Sequence, residues 1–222
     1  MPYETEIKLA IPDLKALQRR LKRLGVRPKN PKTPRVHEMN LLFDTPDGGL
    51  AKHGQLLRIR TETPTAGKKA PKAKTPSRTL LTFKSPPEQL AIGDLHHGRG
   101  RNRRYKIREE IEAELPDGAA LKKIFEGLGL RGWFRYEKFR TTYVLPARRR
   151  WANGLFLEVD ETPIGLFVEL EGPGAAIDRA AHELGFSRKD YVLKNYLVLY
   201  LDDCKSKGQQ PTHMLFDAKT SG

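Results

Sequence analysis

Charged residues recur at every second position in several short stretches of this 222-residue chain. Glu4, Glu6 and Lys8 alternate with Tyr3, Thr5, Ile7 and Leu9. Arg58 and Arg60 oppose Leu57 and Ile59, and Lys138 and Arg140 oppose Phe139, Thr141 and Tyr143. Arg108, Glu110, Glu112 and Glu114 share one phase of residues 105–115. Glu158, Asp160, Glu169 and Glu171 form the charged phase of two stretches joined by Glu161-Thr162-Pro163. A period of two is strand geometry, so each set lies on one face of a sheet. The outer face of a half-solvated sheet is one reading of such a set. That face ordinarily mixes Thr, Ser, Gln and Lys, whereas these phases are almost purely charged and cluster by sign. Bases gather on 54–61, 78–84 and 134–145, acids on 154–160 and 164–171, and 3–11 and 105–115 carry both. Facing inward without partners, they would be prohibitively costly to bury. A water-filled tunnel holding a polyanion and divalent cations removes that cost. Arg forks and Lys point charges would neutralise phosphate oxygens. The carboxylates would hold Mg²⁺ or Mn²⁺, which seek oxygen ligands and bridge to phosphates.

The elements that must position these residues follow from turn and cap signals. Strands are predicted at 3–11, 36–44, 54–61, 78–84, 105–115, 134–145, 154–160 and 164–171. A helix is predicted from Leu14, with Asp13 as N-cap, Leu17, Leu21 and Leu24 at helical spacing, and Gly25 as its stop. Further helices are expected at about 117–128, 174–185 and 189–201. The hairpin-like succession implies an α+β fold, a mainly antiparallel eight-stranded closed barrel with helices packed outside. Residues 1–201 form a single domain in this reading, and 202–222 a flexible tail. Basic insertions, low in aliphatics, interrupt it near 62–78 and 93–104.

Composition bounds the function. Lys and Arg number 41 against 27 Asp and Glu, a formal charge of +14. The pI is near 9.9. That excess implies anionic partners. No apolar run approaches the ~20 residues of a membrane span, and no apolar signal core stands at the start. The single cysteine, Cys204, excludes an internal disulfide and a cysteine-based zinc site. These features predict a soluble cytoplasmic protein, monomer or homodimer, with no membrane partner.

The motifs resemble those of the CYTH, or triphosphate tunnel metalloenzyme, superfamily. Glu4-Thr5-Glu6-Ile7-Lys8 matches the family's ExExK signature, and Phe43-Asp44-Thr45-Pro46 its FDTP turn. Leu57-Arg58-Ile59-Arg60, Leu81-Thr82-Phe83-Lys84, Arg108–Glu112 and Glu137-Lys138-Phe139-Arg140 follow in the family's order. Asp160 with Glu169-Leu170-Glu171, and Lys194 before Tyr196, complete the series. The resemblance implies a divalent-metal enzyme acting on a triphosphate: tripolyphosphate, thiamine triphosphate or ATP. Carried over, Lys8, Arg58, Arg60, Lys84, Arg108, Lys138, Arg140 and Lys194 grip the triphosphate. Glu4, Glu6, Glu110, Glu112, Asp160, Glu169 and Glu171 bind metal or orient the bases, with Glu4, Glu6 and Lys8 at the catalytic centre. Glu114 and Glu158 are open between rim and interior, and Glu109 and Glu137 fall outside. Hydrolysis is the leading expectation, and cyclisation of ATP to cyclic AMP and pyrophosphate the alternative. Two departures stand out: Leu42 replaces a Tyr common before the FDTP turn, and the His-Phe pair frequent upstream of ExExK in cyclases is absent. His37 is a candidate base or a structural residue. A nucleic-acid-binding module is the competing class, with the basic loops as its contact, although no RNA- or DNA-binding motif is present. A silent polyphosphate-binding module is a third.

Overall fold

The computed structural model describes residues 3–65, 76–87 and 104–217. Nine strands are described: β1 Tyr3–Ala10, β2 Arg27–Pro28, β3 Arg35–Asp44, β4 Leu56–Pro64, β5 Arg78–Lys84, β6 Lys106–Leu115, β7 Arg131–Val144, β8 Phe156–Thr162 and β9 Gly165–Glu171. Five α-helices accompany them among the described residues: α1 Leu14–Leu24, α2 Gly49–Lys52, α3 Gly118–Gly127, α4 Gly174–Glu183 and α5 Tyr196–Ser206. The strands run in the order β7-β3-β4-β5-β6-β1-β9-β8, and β8 pairs back onto β7. All eight pairings are antiparallel, so the sheet closes into the expected barrel. β2 adds a two-residue strand, pairing Arg27 with Val144. It lies in a stretch whose prolines read as pure loop.

Alternation sorts each strand's side chains between two environments. On β1, Ile7 and Leu9 point out of the barrel and are fully buried. They pack with Leu17, Leu21 and Leu24 of α1 and with Ala176, Ile177, Ala180 and Ala181 of α4. Each such large aliphatic side chain contributes roughly 1.5–3 kcal/mol by leaving water. The main apolar core therefore lies between the barrel wall and the helices, which leaves the interior to the charged phase. α1 forms because Asp13 accepts a hydrogen bond from the Ala16 N–H at 3.1 Å and its leucines make one stripe. It stops at Gly25, whose φ of 71° is left-handed backbone that glycine adopts without strain.

A second apolar cluster fills one end of the barrel. Leu42, Phe134, Tyr136 and Phe167 are buried there, joined by Tyr196 from α5 and Met214. The chain reaches this end differently from expectation. Val192 exchanges backbone hydrogen bonds with Lys8, at 3.0 and 2.9 Å, so residues 189–195 cannot be α-helical throughout. Asn195 then caps α5 by accepting from the Val198 N–H, so the helix starts at Tyr196 and runs on to Ser206. The segment from 202 to 217 is not a frayed tail. Met214 makes a parallel bridge to Tyr136, donating to the Arg135 carbonyl and accepting from the Glu137 N–H, both at 3.0 Å. This stretch of β7 lies beyond its pairing with β8, so the returning chain satisfies a strand edge that would otherwise be open.

Most of the first basic insertion and nearly all of the second lie outside the described residues; β4 continues to Pro64 and β5 begins at Arg78. No helix among the described residues is long and apolar enough to cross a membrane.

Candidate functional site

The barrel encloses a cavity of about 1050 Å³. Among the described residues, ten basic and nine acidic side chains line it. Lys8, Arg58, Arg60, Lys84, Arg108, Lys138 and Arg140 all face it, as do Glu4, Glu6, Glu110, Glu112, Glu169 and Glu171. Strand pairing brings them together: Glu6 sits opposite Glu171 and Lys8 opposite Glu169 across β1 and β9. Glu4 sits opposite Arg108 across β1 and β6.

The charges form two linked nodes. Around β1, Lys84 Nζ lies 2.7 Å from Glu4 and 2.8 Å from Glu110. Lys8 Nζ lies 3.1 Å from Glu169, and Lys106 Nζ lies 2.6 Å from Glu6. Around β7, Lys138 donates to Asp160 at 2.9 Å, and Arg140 grips the same carboxylate with two nitrogens at 2.7 and 2.6 Å. The Tyr196 hydroxyl adds a third donor at 2.6 Å. Asp160 is fully buried beneath these donors and does not line the cavity. There it accepts from Lys138 and Arg140 and fixes where both side chains point. Glu38 lies between Lys138 at 3.5 Å, Arg140 at 3.6 Å and Arg60 at 3.8 Å.

Burial makes these charges dependent on one another, and the carboxyls divide into two sets. Burial alone would raise every one of them, but the surrounding bases reverse this at some. Lys8 and Lys106 draw Glu6 far below the ordinary carboxylate range. Lys138, Arg140 and Arg60 hold Glu38 at about 2. Glu110 and Glu169 are likewise lowered, chiefly by Lys84 and by Lys8 with Arg140. Three carboxyls stay raised. Glu171 is pushed up to about 8 by burial and by the charges of Glu158 and Glu4. Glu4 is raised by burial and by Glu6, and Glu158 by burial against the pull of Arg140. On the other side of the balance, burial beside Lys8, Arg108 and Lys84 pushes Lys106 down to about 8, despite Glu6. The cavity thus combines three carboxyls that burial raises despite their basic neighbours with an ammonium that burial lowers despite Glu6.

Sequence reasoning missed several of these residues. Lys106 shares the phase of Arg108 but directly follows a run that reads as basic loop. Glu38 and Glu62 line the cavity from β3 and β4. Glu158, open between rim and interior, lines the cavity and pairs with Arg140. Lys194 is not brought to the site: it is exposed and pairs with Asp202 at 2.6 Å, because the chain is still extended there and its side chain turns outward along α5. His37 also faces away, with Nε2 2.7 Å from Glu137 and its ring against Phe139. Leu42 belongs to the apolar plug, beside Tyr136, whose hydroxyl accepts from Arg58 at 3.0 Å.

The sequence profile of the CYTH domain matches residues 2–196. The chain belongs to the CYTH family. Known structures share the CYTH barrel at low identity. A candidate adenylate cyclase from Vibrio parahaemolyticus superposes with a TM-score of 0.66 at 14% identity, covering 89% of this chain and 97% of that one. A Pyrococcus horikoshii protein gives 0.63 at 18%, covering 90% and 99%. A candidate adenylyl cyclase from Hippeastrum, described as having a dominant triphosphatase activity, gives 0.51 at 21%, covering 94% and 97%. No curated protein matches this CYTH chain.

The raised carboxyl carries a testable consequence for the CYTH barrel. Glu171 stands above its ordinary value of 4.5, so the folded state holds its proton more tightly than the unfolded chain. Its contribution is fully present below about 4.5 and is lost as pH rises through about 8. In metal-free thermal melts, stability is expected to fall across that window in the wild type, and to fall less in Glu171→Gln. Equal slopes for the two proteins would remove the like-charge crowding of Glu171.

Proposed function

We propose that the cavity binds the triphosphate of its substrate together with a divalent cation and hydrolyses the terminal phosphate. The observation that supports this most is the split of the buried charges. Glu4, Glu158 and Glu171 are raised carboxyls that a cation would relieve, and Lys106 is a lowered ammonium that an anion would relieve. A metal–triphosphate complex supplies both charges at once.

The donor set fits a hard cation, since it is all carboxylate oxygen. No three carboxylates among the described residues already converge as a metal cage. A substrate phosphate would have to complete the coordination, as is common for Mg²⁺. Glu4, Glu158 and Glu171 would hold the ion, which supplies charge neutralisation and an acidified water. Lys8, Lys84, Lys106 and Arg108 would hold one part of the triphosphate, and Arg58, Arg60, Lys138 and Arg140 the rest. Phosphoryl transfer asks for positioning and charge stabilisation more than for a protein nucleophile. Water would attack the terminal phosphorus and lose a proton to solvent or phosphate. The bond to the bridging oxygen would break, and the diphosphate end would depart with that oxygen as the terminal group becomes orthophosphate. Asp160 and Tyr196 keep Lys138 and Arg140 aimed inward throughout.

The Hippeastrum neighbour's triphosphatase activity agrees with this choice over cyclisation. The test is a panel of tripolyphosphate, thiamine triphosphate and ATP with Mg²⁺ or Mn²⁺ and product identification. Orthophosphate is expected. Cyclic AMP with pyrophosphate from ATP would replace hydrolysis by cyclisation, and no turnover of any of them would refute the enzyme reading.

A further inference from the structure

Among the described residues the cavity's ten bases are nearly balanced by its nine acids, so most of the chain's +14 lies elsewhere. A second cavity, about 570 Å³ in volume, carries Arg27, Arg149 and Arg150 on its lining and no acidic residue. None of the three has an acidic partner among the described residues. Arg148 continues the run Arg148-Arg149-Arg150. Gly25, which ends α1, approaches both Pro146, which lines this cavity, and Arg148.

The two cavities adjoin at the strand ends, where Leu145, Ala152 and Leu155 of the main core also line the second. On β7, Lys138, Arg140 and Thr142 line the first cavity, and Val144 lines the second. On β8, Glu158 lines the first and Phe156 the second. Two residues along a strand span about 7 Å, so the second cavity begins one pleat beyond the first. It lies at the end of the barrel away from the apolar plug. Lys29 bridges the step: it lines the first cavity, and its ammonium sits 4.3 Å above the ring of Phe156.

We propose that this arginine-lined cavity is an anion exosite for the distal part of a linear inorganic polyphosphate whose end occupies the barrel. The proposal rests on the triphosphate reading of the barrel cavity and extends its substrate beyond three phosphates. Guanidinium groups without carboxylate partners suit repeated phosphate oxygens. A single-stranded nucleic acid is disfavoured because it gains much of its affinity from bases stacked on free aromatic faces. The aromatic side chains here are already engaged: Phe156 by Lys29, and the nearby Trp151 by Arg179, whose guanidinium carbon lies 4.6 Å above its ring.

The test is a metal-free binding titration of wild type and the Arg27→Ala/Arg149→Ala/Arg150→Ala variant. The ligands are tripolyphosphate, a linear polyphosphate several times longer, and a short single-stranded RNA. The variant is expected to lose about tenfold or more in affinity for the long chain, with a shallower salt dependence. Its tripolyphosphate affinity should stay within about twofold, which also shows that the barrel remains intact. Equal losses for the two phosphates, or no loss for either, would overturn the exosite. RNA binding tighter than the long polyphosphate, and lost in the variant, would overturn the ligand class. A wild type that turns over no triphosphate would refute the hydrolase but leave this difference in binding to be read on its own.

Discussion

Glu4→Gln and Glu6→Gln are each expected to lower metal-dependent phosphate release by about two to three orders of magnitude, yet to differ in their effect on stability. The two carboxylates are neighbours on one strand face with opposite electrostatic situations. Glu4 is raised by burial and by Glu6, and its partner Lys84, 2.7 Å away, keeps a second carboxylate in Glu110 at 2.8 Å. In Glu4→Gln the amide removes charge that burial opposed, and thermal stability should be unchanged or higher. Glu6 is strongly lowered by Lys8 and Lys106, which lie 3.6 and 2.6 Å away. In Glu6→Gln the amide leaves two buried ammonium groups without their counter-charge, and stability should fall. Assays of turnover beside urea unfolding separate the effects. Unchanged turnover in both variants would remove β1 from the catalytic site. Equal stability losses would contradict the division of the carboxyls into two sets.

Asp160→Asn is expected to cost about 3–5 kcal/mol of stability, the range for removing one partner of a buried ion pair. Asp160 is fully buried and accepts from Lys138, Arg140 and Tyr196. Its replacement removes the buried carboxylate that Lys138 and Arg140 share and leaves both the longer contacts to Glu38, with Glu158 and Glu169 still beside Arg140. Anion affinity should also weaken, because Lys138 and Arg140 lose the group that fixes their geometry. Lys194→Ala provides the contrast. Its partner Asp202 is exposed, and such pairs contribute about 0–1 kcal/mol. Turnover by Lys194→Ala should match the wild type, although the family's motif placed this lysine on the triphosphate. Urea unfolding of both variants checks the pair. A small loss in Asp160→Asn with a large one in Lys194→Ala would reverse the two assignments.

Much of the site was legible because a barrel strand has only two faces. Once Glu4, Glu6 and Lys8 alternate with Ile7 and Leu9, the choice is binary, and the aliphatic side belongs under α1 and α4. The same logic, applied to β3, would have found Glu38, since Val36, Glu38, Asn40 and Leu42 share a phase. It was obscured because Leu41, Leu42 and Phe43 make that strand look apolar throughout. Lys106 and Glu62 were lost at strand ends, where a flanking basic or proline-rich stretch blurs the boundary. The α5 start was misplaced because Val192 is held by a backbone pairing with Lys8 that no local pattern encodes. The docking of Met214 is also non-local, as it depends on β7 extending past its pairing with β8. Asp160 shows the limit of phase itself. It faces inward, yet three donors cover it, and only geometry separates a residue that orients bases from one that meets ligand.

The most direct measurement is a crystal structure with tripolyphosphate and Mn²⁺, read by anomalous scattering. The phosphates are expected within the barrel cavity, in contact with Lys8, Lys84, Arg58 and Arg140. A manganese peak is expected among Glu4, Glu158 and Glu171. Tripolyphosphate bound only outside the barrel, or manganese away from those three carboxylates, would contradict the account.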